Sequence, residues 1–177
     1  AIMSTLIGRD HPAAVLRSRL SRTATSHGGL ALIGGEPGIG KTTLVRHALD
    51  EAADLGLLVA TATCWDNPTA PELWPWTQLR RGLERALGPA RWMELTAGEA
   101  LTATDGGEFE VFDGVVALLT EVCRDRPVVL VLDDLQWADP ASIRLLDFVT
   151  RHCWYERLLL IGTYRDVEVQ QADHPLR

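Results

Sequence analysis

Continuous apolar runs alternate with helix-period segments along the 177-residue chain. Four runs are short and rich in Leu, Val and Ile, which is typical of strands buried on both faces. Between them, apolar residues recur every three or four positions, as in helices that cover a sheet. The predicted strands are 30–34, 57–64, 128–134 and 157–164, and the predicted helices are 13–20, 41–56, 76–87, 109–124 and 141–153. The pattern therefore predicts an α/β fold with a parallel sheet, formed by one domain that spans 1–177.

The remaining segments are predicted to be irregular. Their composition favours an irregular start at 1–4, a loop at 21–29 and a longer loop at 96–108. The stretch WDNPTAPELWPW, residues 65–76, contains prolines that rule out one continuous helix. Its tryptophans either pack against the sheet or form an exposed contact for a partner. Trp137 poses a similar choice between packing and stacking on a nucleotide base.

The segment GEPGIGKT, residues 35–42, has the spacing of a phosphate-binding loop between a strand and a helix. Its glycines let successive N–H groups turn toward one anion, and the helix N-terminus adds a favourable dipole. Lys41 supplies a positive charge for the β- and γ-phosphates, and the Thr42 hydroxyl can ligate Mg²⁺. The candidate nucleotide-binding residues are Gly35, Glu36, Pro37, Gly38, Ile39, Gly40, Lys41, Thr42 and Thr43. The alternative is a glycine-rich turn without a ligand.

Two adjacent carboxylates end the third predicted strand, in LVLDDLQWADP, residues 130–140. Adjacent carboxylates repel one another and are costly to bury, so a nearby cation would offset part of the cost. In a phosphate-loop fold this strand ends beside the phosphates. Asp133 is then a candidate metal ligand for Mg²⁺, and Asp134 a candidate catalytic residue that orients or deprotonates the attacking water. Alternatively, one aspartate caps a helix or turn and the other is a solvated charge.

Charge and cysteine content narrow the class of protein. The net charge of −7 argues against nucleic-acid binding by this segment through a basic face. No apolar stretch approaches the ~20 residues of a membrane helix, and no signal peptide is visible. The three cysteines lack CxxC spacing, which favours reduced, packed thiols. We therefore expect a cytoplasmic protein that binds neither nucleic acid nor a membrane through this segment.

Four motifs in this order resemble one protein family: LIGRD, GGEPGIGKTTL, LVLDDLQWADPAS and LLLIGTYRD. The chain looks like the signal-transduction ATPases with numerous domains, a branch of the AAA-like P-loop NTPases. It is most similar to the ATPase module of large LuxR-type transcriptional regulators of actinobacteria, whose subgroup also has a stretch like APELWPW. The resemblance implies a three-layer P-loop NTPase fold with a mostly parallel sheet in ASCE-type order. It also implies ATP or ADP and Mg²⁺ as ligands.

The resemblance assigns further roles. Gly8 and Arg9 match the motif that lines the adenine side of the site, although the usual acidic residues after the arginine are only partly kept. Arg165 matches a catalytic sensor of the γ-phosphate, with a surface arginine as the alternative, and Thr163 could share that role. The family also has a fifth core strand, a helical lid and a winged-helix segment, so we expect this chain to be the N-terminal core of a longer protein. The expected partners are attached effector and DNA-binding domains and, in the full-length protein, a nucleotide-dependent homo-oligomer.

Three functions fit these motifs: a nucleotide switch, a high-turnover ATPase motor, and a scaffold that binds nucleotide without hydrolysis. The presence of Lys41, Thr42, Asp133 and Asp134 disfavours the scaffold. No arginine finger can be identified within the chain, which disfavours the motor. We therefore expect a slowly hydrolysing switch, a weak ATPase that needs further domains or oligomerisation.

Overall fold

Five strands form one sheet in the computed structural model, which describes residues 4–7, 12–35, 40–96 and 107–165. The elements in chain order are β1 (Ser4–Ile7), α1 (Pro12–Thr25), β2 (Gly29–Gly34), α2 (Lys41–Asp54), β3 (Leu58–Thr63), α3 (Trp74–Leu87), α4 (Pro89–Thr96), α5 (Gly107–Asp125), β4 (Val128–Asp133), a 3₁₀ turn (Leu135–Trp137), α6 (Pro140–His152) and β5 (Leu158–Tyr164). All four strands and all five helices predicted from the apolar pattern are present, with their ends shifted by one or two residues except in α1.

The strand order is β1-β2-β5-β4-β3, and every neighbouring pair is parallel. The last strand, β5, therefore lies between β2, which precedes the phosphate-loop segment, and β4, which ends in the acid pair. Gly34 pairs with Tyr164, and Thr63 pairs with Asp133. Because carboxyl ends of parallel strands lie at one edge of a sheet, this order brings the two motifs together there.

Helices cover both faces of the sheet, which gives three layers. Along β4, Val129 and Val131 face a core formed with α1 and α2. Leu130 and Leu132 face the other core, to which α3, α4, α5 and α6 contribute. All four side chains are at most 2% exposed, so the continuous apolar run reflects burial on both faces. The predicted α/β fold with a parallel sheet is confirmed.

Helix α1 continues to Thr25, so the loop expected from residue 21 was wrong over its first five residues. Thr23 is fully buried, and its hydroxyl donates to the carbonyl of Arg19 at 2.7 Å. This bond satisfies a polar group inside the helix that composition alone would assign to a loop. Arg19 and Arg22 both donate to the carbonyl of Gly28, which ties the end of α1 to the start of β2.

Two further elements were not predicted. Strand β1 begins at Ser4, inside the segment expected to be irregular, and pairs with Leu30–Ile33 of β2. The fifth strand of this sheet therefore comes from the N-terminal segment. Helix α4 follows α3 directly and buries Trp92 against the core. Strands of four residues and helices of eight are too short to show a reliable period.

Gly28 allows two main chains to pass closely, and we expect Gly28→Ala to destabilise the fold by about 3 kcal/mol or more. A Cβ at this position would lie 1.9 Å from the carbonyl oxygen of Leu158, a main-chain atom that cannot rotate away. Gly114→Ala is the matched control, because nothing lies within 4 Å of its added Cβ in the middle of α5. It should stabilise the chain by roughly 0.5–1 kcal/mol. Urea unfolding of both variants measures the difference, and equal stabilities would contradict this account.

Candidate functional site

The phosphate-loop segment connects β2 to α2. Gly40 directly precedes α2 and has a left-handed backbone, with φ of 88°. That conformation favours glycine, and open space surrounds the position where a Cβ would lie. No side chain caps α2 at this end. The first turn of the helix can therefore offer its N–H groups and the positive end of its dipole to an anion.

Lys41 joins the ends of two strands. Its Nζ donates to the carbonyl of Gly35 at 2.8 Å and to the carbonyl of Tyr164 at 2.9 Å. Gly35 follows β2 directly, and Tyr164 is the last residue of β5. The ammonium is partly buried at the carboxyl edge of the sheet, where its acceptors among the described residues are these two neutral carbonyls.

The acid pair, at the end of β4, also contacts β5. The Thr163 hydroxyl donates to Oδ1 of Asp133 in a short hydrogen bond. The same hydroxyl oxygen accepts from the main-chain N–H of Asp134 at 3.0 Å. Thr163 itself is only 2% exposed, whereas both bonds are partly buried because the two aspartates are half-buried. One threonine thus sets the position of both aspartates relative to the strand that also binds Lys41.

Asp134 has a left-handed backbone, with φ of 59° and ψ of 52°. This region is sparsely populated by residues other than glycine, although aspartate tolerates it better than most. Asp134 precedes the 3₁₀ turn, but its side chain makes no capping bond there. Asp139 is the residue that caps a helix, since its carboxylate accepts from the N–H of Ser142 at 3.1 Å. The side chain of Asp134 therefore caps neither a helix nor this turn, whereas the side chain of Asp139 caps α6.

Gln136 and Arg165 form a further contact between the ends of β4 and β5. The side-chain oxygen of Gln136 accepts from the main-chain N–H of Arg165 at 3.1 Å. Its amide nitrogen lies 3.4 Å from Oδ1 of Asp134. Sequence reasoning missed Gln136, because a single glutamine after an acid pair is usually exposed and carries no spacing signal.

Thr42 and Thr43, the remaining described candidates, are exposed in the first turn of α2 beside Lys41. The candidates that lie outside the described residues are Gly8, Arg9, Glu36, Pro37, Gly38 and Ile39. The structure therefore brings together Lys41, Asp133 and Asp134 around β5, with the main chain of Arg165 at the same edge.

The tryptophan-rich stretch packs against the start of α6. Trp76 is buried, and its indole N–H donates to the carbonyl of Ser142 at 3.0 Å. The main-chain N–H of Leu73 donates to the carboxylate of Asp139 at 3.2 Å. Beside these contacts, a cavity of about 60 Å³ has among its lining residues Trp65, Trp74, Trp137 and Asp139. Trp76 therefore packs, while Trp65 remains 50% exposed next to the acid-pair loop.

The Cys64 thiol lies near the carboxylates at this edge of the sheet, and they affect its pKa. Its thiol is buried, and its main-chain N–H donates to the carbonyl of Asp133 at 2.9 Å. Burial is the main reason that the pKa of the Cys64 thiol is raised to about 12. The carboxylates that add to the rise are those of Asp139, Asp134 and Asp133. These acids create a negative potential, which favours a bound cation.

Comparison with known proteins identifies the class. The family model for the AAA ATPase domain matches residues 5–161, and the chain belongs to this family. A solved structure of PCH-2 from C. elegans is similar over 96% of this chain, with 13% identity and a TM-score of 0.46. This chain spans 41% of the PCH-2 chain. No curated protein matches the sequence.

AAA ATPase domains bind nucleotide together with Mg²⁺. The described residues fit such a ligand, because an uncapped helix start, a partly buried ammonium and two carboxylates lie along one edge of the sheet.

No helix in the described part of the chain is both long and apolar enough to cross a membrane. Among those residues no cluster of three His, Cys, Asp or Glu side chains could hold a metal ion.

Proposed function

We propose that this chain is an ATP·Mg²⁺-binding switch module that hydrolyses its nucleotide slowly. The observation that carries the proposal is the role of β5. Consecutive residues of this strand contact the acid pair, through the Thr163 hydroxyl, and Lys41, through the Tyr164 carbonyl. A phosphate-binding cation and two acids that contact one strand form the minimum set for binding and cleaving a nucleoside triphosphate.

Each residue has a definite role in this proposal. The backbone of Gly35–Thr43 and the ammonium of Lys41 bind the phosphates, and Gly8 and Arg9 lie near the base. Thr42 and Asp133 hold Mg²⁺, which supplies positive charge against the γ-phosphate. Asp134 orients the attacking water. Thr163 and Arg165 follow the state of the γ-phosphate at the end of β5.

The hydrogen bonds of Lys41 support a switch. A lysine ammonium has three donors, and the carbonyls of Gly35 and Tyr164 accept from two of them. Contacts to both the β- and γ-phosphates therefore require Lys41 to release at least one carbonyl. If the Tyr164 carbonyl is released, the end of β5 loses one of its restraints when nucleotide binds. The chain continues from β5 into the segment that would communicate with attached domains.

The wider setting is proposed from the resemblance to the ATPase modules of LuxR-type regulators. In that setting the chain acts in the cytoplasm, its nucleotide state controls attached effector and DNA-binding domains, and the full-length protein forms a nucleotide-dependent homo-oligomer. The alternatives are a motor and a scaffold that binds nucleotide without hydrolysis. The rate of ATP hydrolysis distinguishes the switch from both.

We expect the isolated chain to release phosphate from ATP at well below one per second. An arginine finger is worth about 10³–10⁵ in rate in related P-loop enzymes, and none is identified in the sequence. Steady-state phosphate release by the monomer measures the rate, with Lys41→Ala as the background control. A rate near one per second or faster would favour the motor. ATP binding without any hydrolysis would favour the scaffold.

A further inference from the structure

Gln136 is a buried amide inside the candidate site, with 5% of its surface exposed. Its side-chain oxygen faces the main-chain N–H of Arg165 at 3.1 Å. Because that partner can only donate, the amide must turn its oxygen toward Arg165 and its NH₂ group away from it. The NH₂ group then faces Oδ1 of Asp134 at 3.4 Å, and as a donor it complements the carboxylate.

The main chain that carries Gln136 is fixed on β5. Leu135, the residue before it, is 1% exposed and packs over Gly162. A Cβ on Gly162 would lie 2.4 Å from Cδ1 of Leu135, so the glycine leaves the space that the Leu135 side chain fills. The turn Leu135–Trp137 is thus seated on the sheet, and the Gln136 side chain has a defined starting point.

A buried amide is costly unless both its ends are hydrogen-bonded, so an apolar residue would be the simpler choice beside Leu135. Two partners of Gln136 are the carboxylate proposed to orient water and the first residue after β5. An amide suits both partners, since it offers a donor to a carboxylate and an acceptor to an N–H group. Glutamate would keep the acceptor but place a second carboxylate against Asp134.

We propose that Gln136 is a positioning residue that orients the Asp134 carboxylate and couples it to the main chain at Arg165. This inference rests on the proposed nucleotide hydrolysis. One N–H of Gln136 holds Oδ1 of Asp134, so the other carboxylate oxygen is directed toward the attacking water. The bond to Arg165 means that a movement at the end of β5 shifts the same amide, and with it the orientation of Asp134.

Single-turnover hydrolysis of ATP·Mg²⁺ with protein in excess tests the proposal. Gln136→Met, which keeps the side-chain volume, should lower the hydrolysis rate about 10–100-fold because orientation is lost. The dissociation constant for ATP·Mg²⁺, measured by calorimetry, should change less than about threefold. Gln136→Glu should lower the rate at least as much, although it keeps the acceptor for Arg165. Gln78→Met is the matched control, since the hydrogen bonds of Gln78 among the described residues are the two to the main chain of Thr63.

A double-mutant cycle separates positioning from a general structural effect. In an Asp134→Asn background, Gln136→Met should change the remaining hydrolysis less than about twofold, because the carboxylate it orients is already gone. Equal rates for wild type and Gln136→Met, or full additivity in the cycle, would overturn the inference alone. Absence of ATP hydrolysis in the wild type would overturn the proposed function, and this inference with it.

Discussion

Lys41→Ala is expected to weaken ATP·Mg²⁺ binding by at least about 100-fold, which corresponds to roughly 2.7 kcal/mol. The substitution removes a positive charge from the start of α2, where the phosphates would lie. It also leaves the carbonyls of Gly35 and Tyr164 without this donor. Both carbonyls lie at the edge of the sheet, where water can replace a partly exposed ammonium, so the chain should remain folded.

Isothermal titration with ATP·Mg²⁺ measures the loss, and circular dichroism verifies the fold. Arg46→Ala is the matched control, because Arg46 is an exposed cation on the same helix. It should leave the affinity within about twofold of wild type, as expected for a solvated surface charge. Unchanged affinity in a folded Lys41→Ala variant would contradict the assignment of the phosphate site.

The two adjacent aspartates should respond differently to removal of their charge. We expect Asp134→Asn to keep ATP·Mg²⁺ affinity within a few-fold and to lower hydrolysis by about 10²–10⁴, because a water-orienting carboxylate acts in the transition state. Asparagine also tolerates the left-handed backbone of this position and keeps an oxygen that can accept from Gln136. The expected loss therefore reflects charge rather than misfolding.

Asp133→Asn should instead weaken nucleotide binding in the presence of Mg²⁺ and have little effect in EDTA, since this acid is the proposed metal ligand. Its amide oxygen can still accept from the Thr163 hydroxyl, so the contact with β5 is retained. Asp147→Asn, at an exposed carboxylate of α6, is the control for a simple change in net charge. Equal effects of Asp133→Asn and Asp134→Asn on affinity would contradict this division of roles.

The end of β5 emerges as the element that connects the parts of the site. Thr163 bonds to the acid pair, Tyr164 to Lys41, and Arg165 to Gln136. Three consecutive residues can make these contacts because side chains and main-chain groups of a strand face different neighbours. A movement of Lys41 or of the acid pair when phosphate groups bind would therefore change contacts at several residues at the end of β5. This arrangement suits the proposed switch better than contacts scattered over independent loops.

The tryptophan-rich stretch lies close to the same loop. Its bonds from Trp76 to Ser142 and from Leu73 to Asp139 connect α3 to the start of α6, five or more residues after the acid pair. Packing explains Trp76. The half-exposed indole of Trp65 lines the small cavity that Trp137 also borders. Trp76 therefore fits the alternative of packing, and Trp65 fits the alternative of an exposed contact for a partner.

The sequence by itself determined the main outline of this protein. The four longer strands could be predicted because a strand buried on both faces is apolar at every position, and that signal is local. The phosphate-loop spacing and the acid pair were equally local, so Lys41, Asp133 and Asp134 could be predicted as site residues without any knowledge of the strand order. The same motifs, taken with their order along the chain, were also sufficient to indicate an AAA-like ATPase.

Only the tertiary structure decided how these residues meet. Lys41 and the acid pair are related through β5, and nothing in a linear pattern states that the last strand inserts between β2 and β4. Gln136 could not be predicted because its burial and its contacts with Asp134 and Arg165 arise only in the folded chain. The polar end of α1 was not predicted for a similar reason, since Thr23 is buried only in the folded chain and its hydroxyl donates to a carbonyl of its own helix. Local patterns report the environment of a segment, whereas pairing between distant segments depends on the free energy of the whole packed arrangement.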